Sequence, residues 1–287
     1  MTVQAVKVAL PGGASIALRA AGAGPAVLLL HGIGGRAQQW SPQMEALAGR
    51  YCVLAWDARG YGESDGPPVT RFSDFADDLF AVLDALGIAR VLAAGHSMGG
   101  RILLEAAART QDRFAALLLS GAQAAYLEHM TPAERMAYVD KRRALFDGGA
   151  MREEAAVKVA RDVLGPLADA AAHGAMVDSF RALHAPAYLA ALETSAGMDR
   201  RDVLAKLTVP TRVIGGALDT ICPPEETRRI AEAIGQGPAI LLDNVGHMAG
   251  LEVPETVTRP IDEAFAPHAA EASILDAGEL VRRDAAA

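Results

Sequence analysis

Cysteine is almost missing from this chain. Cys52 and Cys222 are the only two in 287 residues, too few for a disulfide framework and without the paired spacing of a metal site. A reducing cytosol is therefore the default compartment. Also missing is any excess of positive charge. Lys and Arg number 27 against 35 Asp and Glu, a formal net charge of −8, so no basic stripe is available to neutralise phosphates and nucleic acid is excluded as a partner. The short cluster Lys141-Arg142-Arg143 does not change that. No apolar run approaches the roughly 20 residues of a bilayer-spanning helix. Met1 to Leu10 alternates apolar and polar residues, without the basic start and apolar core of a secretion signal. No internal repeat is visible. These absences predict a cytoplasmic chain with a small-molecule substrate and no membrane partner, and they fix no oligomeric state.

What is plentiful is apolar side chain. At 51% hydrophobic the chain can bury a large core, and its length suits one catalytic domain carrying an insertion. Val3 to Leu10 and Ile16 to Ala20 flank Pro11-Gly12-Gly13 and read as a hairpin. Buried-type strands follow at Val27 to Leu30, Tyr51 to Ala55, Val91 to Ala94, Leu117 to Leu119, Thr211 to Ile214 and Ala239 to Leu242. Short continuous apolar runs separated by helical segments indicate an α/β fold with a mostly parallel sheet covered on both faces. Ser41 followed by Pro42 suits an N-cap and a first-turn proline of one helix. Ser73 suits the cap of another, whose Phe75, Leu79, Val82, Leu83 and Leu86 share a face.

From about Ala122 to Arg200 the strand signals stop, and helix-favouring segments rich in alanine, methionine and charge predict a helical cap. The expected division is a core of residues 1–121 and 201–266, a cap of 122–200 and a tail of 267–287. A last helix is expected near Pro254 to Phe265. The tail reads equally as a frayed end or a docked helix. Tyr126, Met130, Met136, Tyr138, Phe146, Met176, Phe180 and Tyr188 give the cap its aromatic and methionine content, most of it ordinary helix packing and a minority of it pocket lining.

The chemistry concentrates at Gly95-His96-Ser97-Met98-Gly99-Gly100, which follows an apolar strand and opens a helix. That is the setting of a nucleophile elbow, in which small residues two before and two after the serine let the backbone turn sharply and push the hydroxyl outward. The bland reading is a glycine-rich turn that merely needs residues without side chains; context decides against it. A serine hydroxyl is a weak nucleophile and needs a base. His247 sits in Asn244-Val245-Gly246-His247 after the last strand, at the same sheet end. Asp219, after Gly215-Gly216-Ala217-Leu218, is the carboxylate that would orient it; the alternative place, Ser120-Gly121-Ala122, holds none. The competing role for Asp219 is capping the turn ahead of Pro223-Pro224. The N–H groups of Met98 and Ile33 are the expected oxyanion donors.

The remaining candidates divide less cleanly. His96 and His31 are assigned structural roles, His31 bracing the loop ahead of Ile33. Trp40 either walls the pocket or anchors the helix that follows. His129 and Tyr188 fall in the cap, where either could touch substrate. Asp57 reads as a turn former pairing with Arg59. Arg142, Arg143 or Arg181 could hold a substrate carboxylate, although exposed helix charge is the commoner role.

Taken together, His31-Gly32-Ile33, the Asp57 to Ser64 loop, the elbow at Ser97, Asp219 and His247 closely resemble the α/β-hydrolase superfamily, over nearly the whole chain. The resemblance implies an eight-stranded, mostly parallel sheet with the helical cap inserted after the sixth strand, and hydrolysis through an acyl-enzyme without a cofactor. Within the superfamily the chain resembles 3-oxoadipate enol-lactonases, small carboxylesterases and cofactor-free haloperoxidases. Haloalkane dehalogenases and epoxide hydrolases use aspartate at the elbow, which Ser97 argues against. The expected activity is cleavage of a small ester or lactone. The alternatives are a carbon-carbon bond hydrolase of ring-cleavage diketones, a group that carries an extra arginine and asparagine near the pocket, and a ligand-binding module on the same scaffold.

Overall fold

The computed structural model describes residues 2–284; Met1 and residues 285–287, the end of the expected tail, lie outside the described residues. The elements run β1 (Gln4–Ala9), β2 (Ser15–Ala21), β3 (Ala23–Leu30), α1 (Ser41–Leu47), β4 (Cys52–Trp56), α2 (Ser73–Ala85), β5 (Val91–His96), α3 (Met98–Arg109) and β6 (Phe114–Ser120). Then come α4 (Pro132–Arg143), the short β7 (Phe146–Asp147) and β8 (Ala150–Met151), α5 (Glu153–Val163), α6 (Ala170–Arg181), α7 (Ala185–Ser195) and α8 (Arg201–Leu204). The chain closes with β9 (Thr211–Gly216), α9 (Pro224–Ile234), β10 (Ile240–Leu242), α10 (Ala249–Glu252), α11 (Pro254–Phe265), β11 (Ile274–Asp276) and α12 (Ala277–Asp284).

Eight strands form one path in the order β1-β2-β4-β3-β5-β6-β9-β10. Only β1–β2 and β2–β4 on this path are antiparallel; the rest pair parallel. The apolar runs are continuous because alternate side chains of one strand enter opposite cores. In β3, Val27 and Leu29 pack with Trp40, Met44, Val257 and Ile261 on one face, while Leu28 and Leu30 pack with Phe75, Leu79 and Ile102 on the other. Each such fully buried side chain contributes about 1.5–3 kcal/mol.

Several local expectations are corrected. Ser41 is the first residue of α1 and not its cap, because a 3-10 turn over Ala37–Trp40 runs straight into the helix. At α2 the residue before the helix is Phe72, and Asp74, one position after Ser73, takes the Thr70 and Arg71 N–H groups through its carboxylate. The tail is docked: β11 pairs antiparallel with the start of β3, adding a ninth strand, and Leu280 of α12 is buried. The region between β6 and β9 is helical apart from the β7–β8 ladder, whose Gly148 and Gly149 have φ of 57° and 95°; a two-residue glycine loop with positive φ joins strands as short as these.

That helical insertion is fastened where it leaves and re-enters the core. Tyr126 N–H donates to Met198 O, Gly197 N–H to Tyr126 O and Arg200 N–H to Ala124 O, and Arg200 Nε reaches Glu105 of α3 at 2.7 Å. Further along, Ser179 of α6 donates to Gly34 O at 2.8 Å. The insertion thus sits over the carboxyl ends of the parallel strands.

Candidate active site

The turn from β5 into α3 has no room for side chains on either flank of Ser97. A Cβ on Gly95 would stand 2.5 Å from Gly100 N, and one on Gly99 would overlap the carbonyl oxygen of Leu30. Ser97 itself is held at φ 51° and ψ −111°, a conformation costly to an L-residue outside a constrained turn. Its N–H donates to Ser120 O at 2.8 Å, tying the elbow to β6. Ser97 is also the residue before α3, so Met98 is its first helical residue and its N–H has no acceptor within the helix.

The loop after β3 lies directly against the serine. A Cβ on Gly32 would come within 3.0 Å of Ser97 Cβ, and Gly34, at φ 82°, leaves the space that the ring of Phe180 occupies. His31 braces this loop. Its Nε2 accepts from Ala58 N–H at 2.9 Å, which assigns the ring proton to Nδ1 and to a 2.8 Å bond with Gly32 O. Burial pulls the His31 pKa below its ordinary value, with Asp57 opposing. Asp57 is a turn former as expected, accepting from Ala37 and Glu63 N–H groups. Its expected pairing with Arg59 is wrong, because Arg59 turns to Asp78 of α2.

The Asp219 carboxylate makes contacts on both of its oxygens. Its Oδ1 caps the following turn, accepting from Ile221 and Cys222 N–H at 2.8 and 2.9 Å, while Oδ2 stands 2.7 Å from His247 Nδ1. His247 is gripped by its own main chain: Gly246 and Met248 N–H donate to Glu252, and His247 N–H donates to Val163 O of the insertion. Beside it lies the ring of His96, centroids 4.7 Å apart. Burial, then the adjacent His247, holds the His96 pKa well below the usual histidine range.

A cavity of about 110 Å³ opens onto Ser97, His247 and Ile33. Tyr188 lines it, and so do Met176 and Phe180 of α6. Trp40 does not. It packs in the core with Met44 and Leu47 and lines a smaller neighbouring cavity with His31, Gln39 and His96. His129 is exposed on an outer groove, outside the cavity wall. Arg143 and Arg181 pair on the surface with Glu193 and Glu153, whereas Arg101 and Arg142 reach the cavity together with Tyr126 and Tyr138. No local sequence signal separates Arg142 from Arg143; only the rotation of α4 does.

A profile of the α/β-hydrolase fold matches residues 25–172. The chain belongs to the α/β-hydrolase family. This α/β-hydrolase is 30% identical over 243 residues to a protein of Azorhizobium caulinodans provisionally named carbamate hydrolase RutD, covering 82% of this chain and 88% of that one. A protein of the same name from Caulobacter vibrioides is 42% identical over 95 residues, which span only 32% of this chain and 35% of the relative. Among solved structures, a thermophilic esterase from Thermogutta terrifontis with malate bound is 28% identical and superposes with a TM-score of 0.78 over 92% of this chain and 99% of that one. The hydrolase therefore shares its fold with an esterase over most of its length. Among its described residues no helix is long and apolar enough to cross a membrane, and no cluster of His, Cys, Asp or Glu could hold a metal ion.

Proposed function

We propose that this α/β-hydrolase cleaves a carboxylic ester or lactone of a small molecule through an acyl-enzyme on Ser97. The observation that carries the reading is the 2.7 Å contact between Asp219 Oδ2 and His247 Nδ1, at a cavity that also exposes the strained Ser97. With Asp219 accepting from Nδ1–H, the His247 Nε2 lone pair is free to take the serine proton. Ser97 Oγ adds to the substrate carbonyl carbon, and the oxygen that becomes negative is met by the N–H groups of Ile33 and Met98. Each such donor is worth about 10² to 10³ in rate. Collapse of the intermediate expels the alcohol, which takes its proton from His247. Water, deprotonated by the same ring, then releases the acid.

Carbamate cleavage is a second reading, favoured by the name of the relative that aligns over most of its length; the attack is the same and a carbamoyl group takes the place of the acyl group. Diketone cleavage is less well supported, because Asn244, the single asparagine of the sequence, is absent from the cavity wall. The test is hydrolysis of p-nitrophenyl esters, simple lactones, a p-nitrophenyl carbamate and a vinylogous diketone by wild type beside Ser97→Ala. Ester or lactone turnover reduced about 10⁶-fold in the variant supports the proposal, and turnover that survives near the wild-type rate rejects it.

A further inference from the structure

Two guanidinium groups share the cavity of this otherwise acidic protein, and its wall contains no carboxylate. Arg101 lies one helical turn after Ser97, on the same side of α3, with only 2% of its surface exposed. Its Nε is buried without a hydrogen-bond partner, and its guanidinium lies over the face of Tyr126, 4.2 Å from Cζ to ring centre, with Cys222, Tyr138 and Tyr61 nearby. Arg142, from the last turn of α4, donates to Tyr138 Oη at 3.1 Å and lies 4.7 Å over the same ring. Tyr126 and Tyr138 join the two arginines, hydroxyl to hydroxyl, at 3.3 Å.

A buried cation without a counter-ion is costly, and removing it from water is tolerated only when an anion repays the loss. Tyr126 and Tyr188 cannot supply that charge. Burial raises the Tyr126 pKa above the ordinary phenol value and pushes that of Tyr188 up to about 12, so both stay neutral at pH 7. Among the described residues neither Arg101 nor Arg142 forms an ion pair. Two planar forks and the phenol hydroxyls between them match the two oxygens of a carboxylate, and the small cavity leaves space for a short acyl chain between that group and Ser97.

Resting on the ester or lactone reading above, we infer that the substrate is an anion whose acyl part carries a carboxylate a few bonds from the scissile carbonyl, held by Arg101 and Arg142. The pair selects dicarboxylic half-esters, or lactones bearing a free acid, over neutral esters of equal length.

The experiment compares kcat/KM for mono-p-nitrophenyl glutarate and p-nitrophenyl pentanoate in wild type, Arg142→Gln and Arg101→Met, with glutarate binding to Ser97→Ala measured by calorimetry. Wild type is expected to prefer the anionic ester by about 10-fold to 100-fold, the range of one or two charge-assisted hydrogen bonds, and the ratio is expected to collapse toward one in Arg142→Gln. Glutarate binding to Ser97→Ala, weakened at least tenfold when Arg142→Gln is added, supports the subsite without any turnover. A ratio near one in wild type, or a ratio unchanged in both arginine variants, overturns it. If glutarate binds but turnover survives in Ser97→Ala, the serine mechanism falls and the subsite stands; if turnover depends on Ser97 and glutarate does not bind, the reverse holds.

Discussion

Glu252 holds His247 through the backbone on both sides of the ring, accepting from Gly246 N–H at 2.8 Å with one carboxylate oxygen and from Met248 N–H at 3.1 Å with the other. A glutamine keeps the shape but turns an NH₂ toward the backbone N–H donors of Gly246, Met248 and Gly165, so at least one amide is left facing another donor. Glu252→Gln is expected to lower kcat more than it raises KM, because the loop that aims His247 loosens while the cavity wall stays. It is expected to cost about 1–3 kcal/mol in stability. Steady-state kinetics with a urea melt check this; a pure KM effect would place Glu252 in substrate binding instead.

Acid is expected to destabilise the fold through two histidines. His31 and His96 are both held below the ordinary value of about 6.5, chiefly by burial. Below that value the unfolded chain binds protons that the native protein refuses. The stabilisation from neutral rings is therefore complete above about 6.5 and is lost as pH falls below it, by up to about 1.4 kcal/mol per group per pH unit. Urea midpoints at pH 7.5, 6.5 and 5.5 should fall, and the fall should be smaller in His96→Gln. Equal slopes in the two proteins would show that His96 takes its proton freely in the native state.

The elbow should not tolerate a single methyl group. At Gly99 a Cβ would overlap Leu30 O, whereas at Gly49, beyond the end of α1, nothing lies within 4 Å. Gly99→Ala is expected to cost about 2–4 kcal/mol or to give no folded protein, and Gly49→Ala to stay within about 0.5 kcal/mol. Thermal melts of the pair provide the comparison, and matching midpoints would mean that β3 can move away from α3.

Arg101→Met is expected to raise the melting temperature. The substitution removes a buried cation that has lost its water and gained no counter-ion, and replacing such charges with apolar groups of similar volume is often stabilising by about 1–4 kcal/mol. A lower melting temperature would show that the face of Tyr126 already repays the burial.

The features legible in the sequence are those that depend on a few consecutive residues. The small residues at Gly95 and Gly99, the strand before them and the helix after them specify the elbow, because the clash they avoid is between neighbours in the chain and the strand beside it. Continuous apolar runs marked the parallel strands for a similarly local reason, since both faces of each are covered. Ser97, Asp219 and His247 follow β5, β9 and β10 and so reach one edge of the sheet, as every parallel strand delivers its following loop there.

Tertiary structure alone decided which side chains share the cavity. Arg142 enters it and Arg143 does not, because α4 presents adjacent residues about 100° apart and the packing of that helix, which buries Val139, sets its rotation. Trp40 packs in the core at the end of a 3-10 turn that no cap residue announced, outside the wall of the Ser97 cavity. Arg59 meets Asp78, and not Asp57, because the amides of Ala37 and Glu63 had already claimed the Asp57 carboxylate from two other parts of the chain. Such choices belong to contacts between segments far apart in sequence. The composition determined a large apolar core and the local pattern determined the sharp turn at Ser97; the charge inside the cavity came from how the insertion folds back over it.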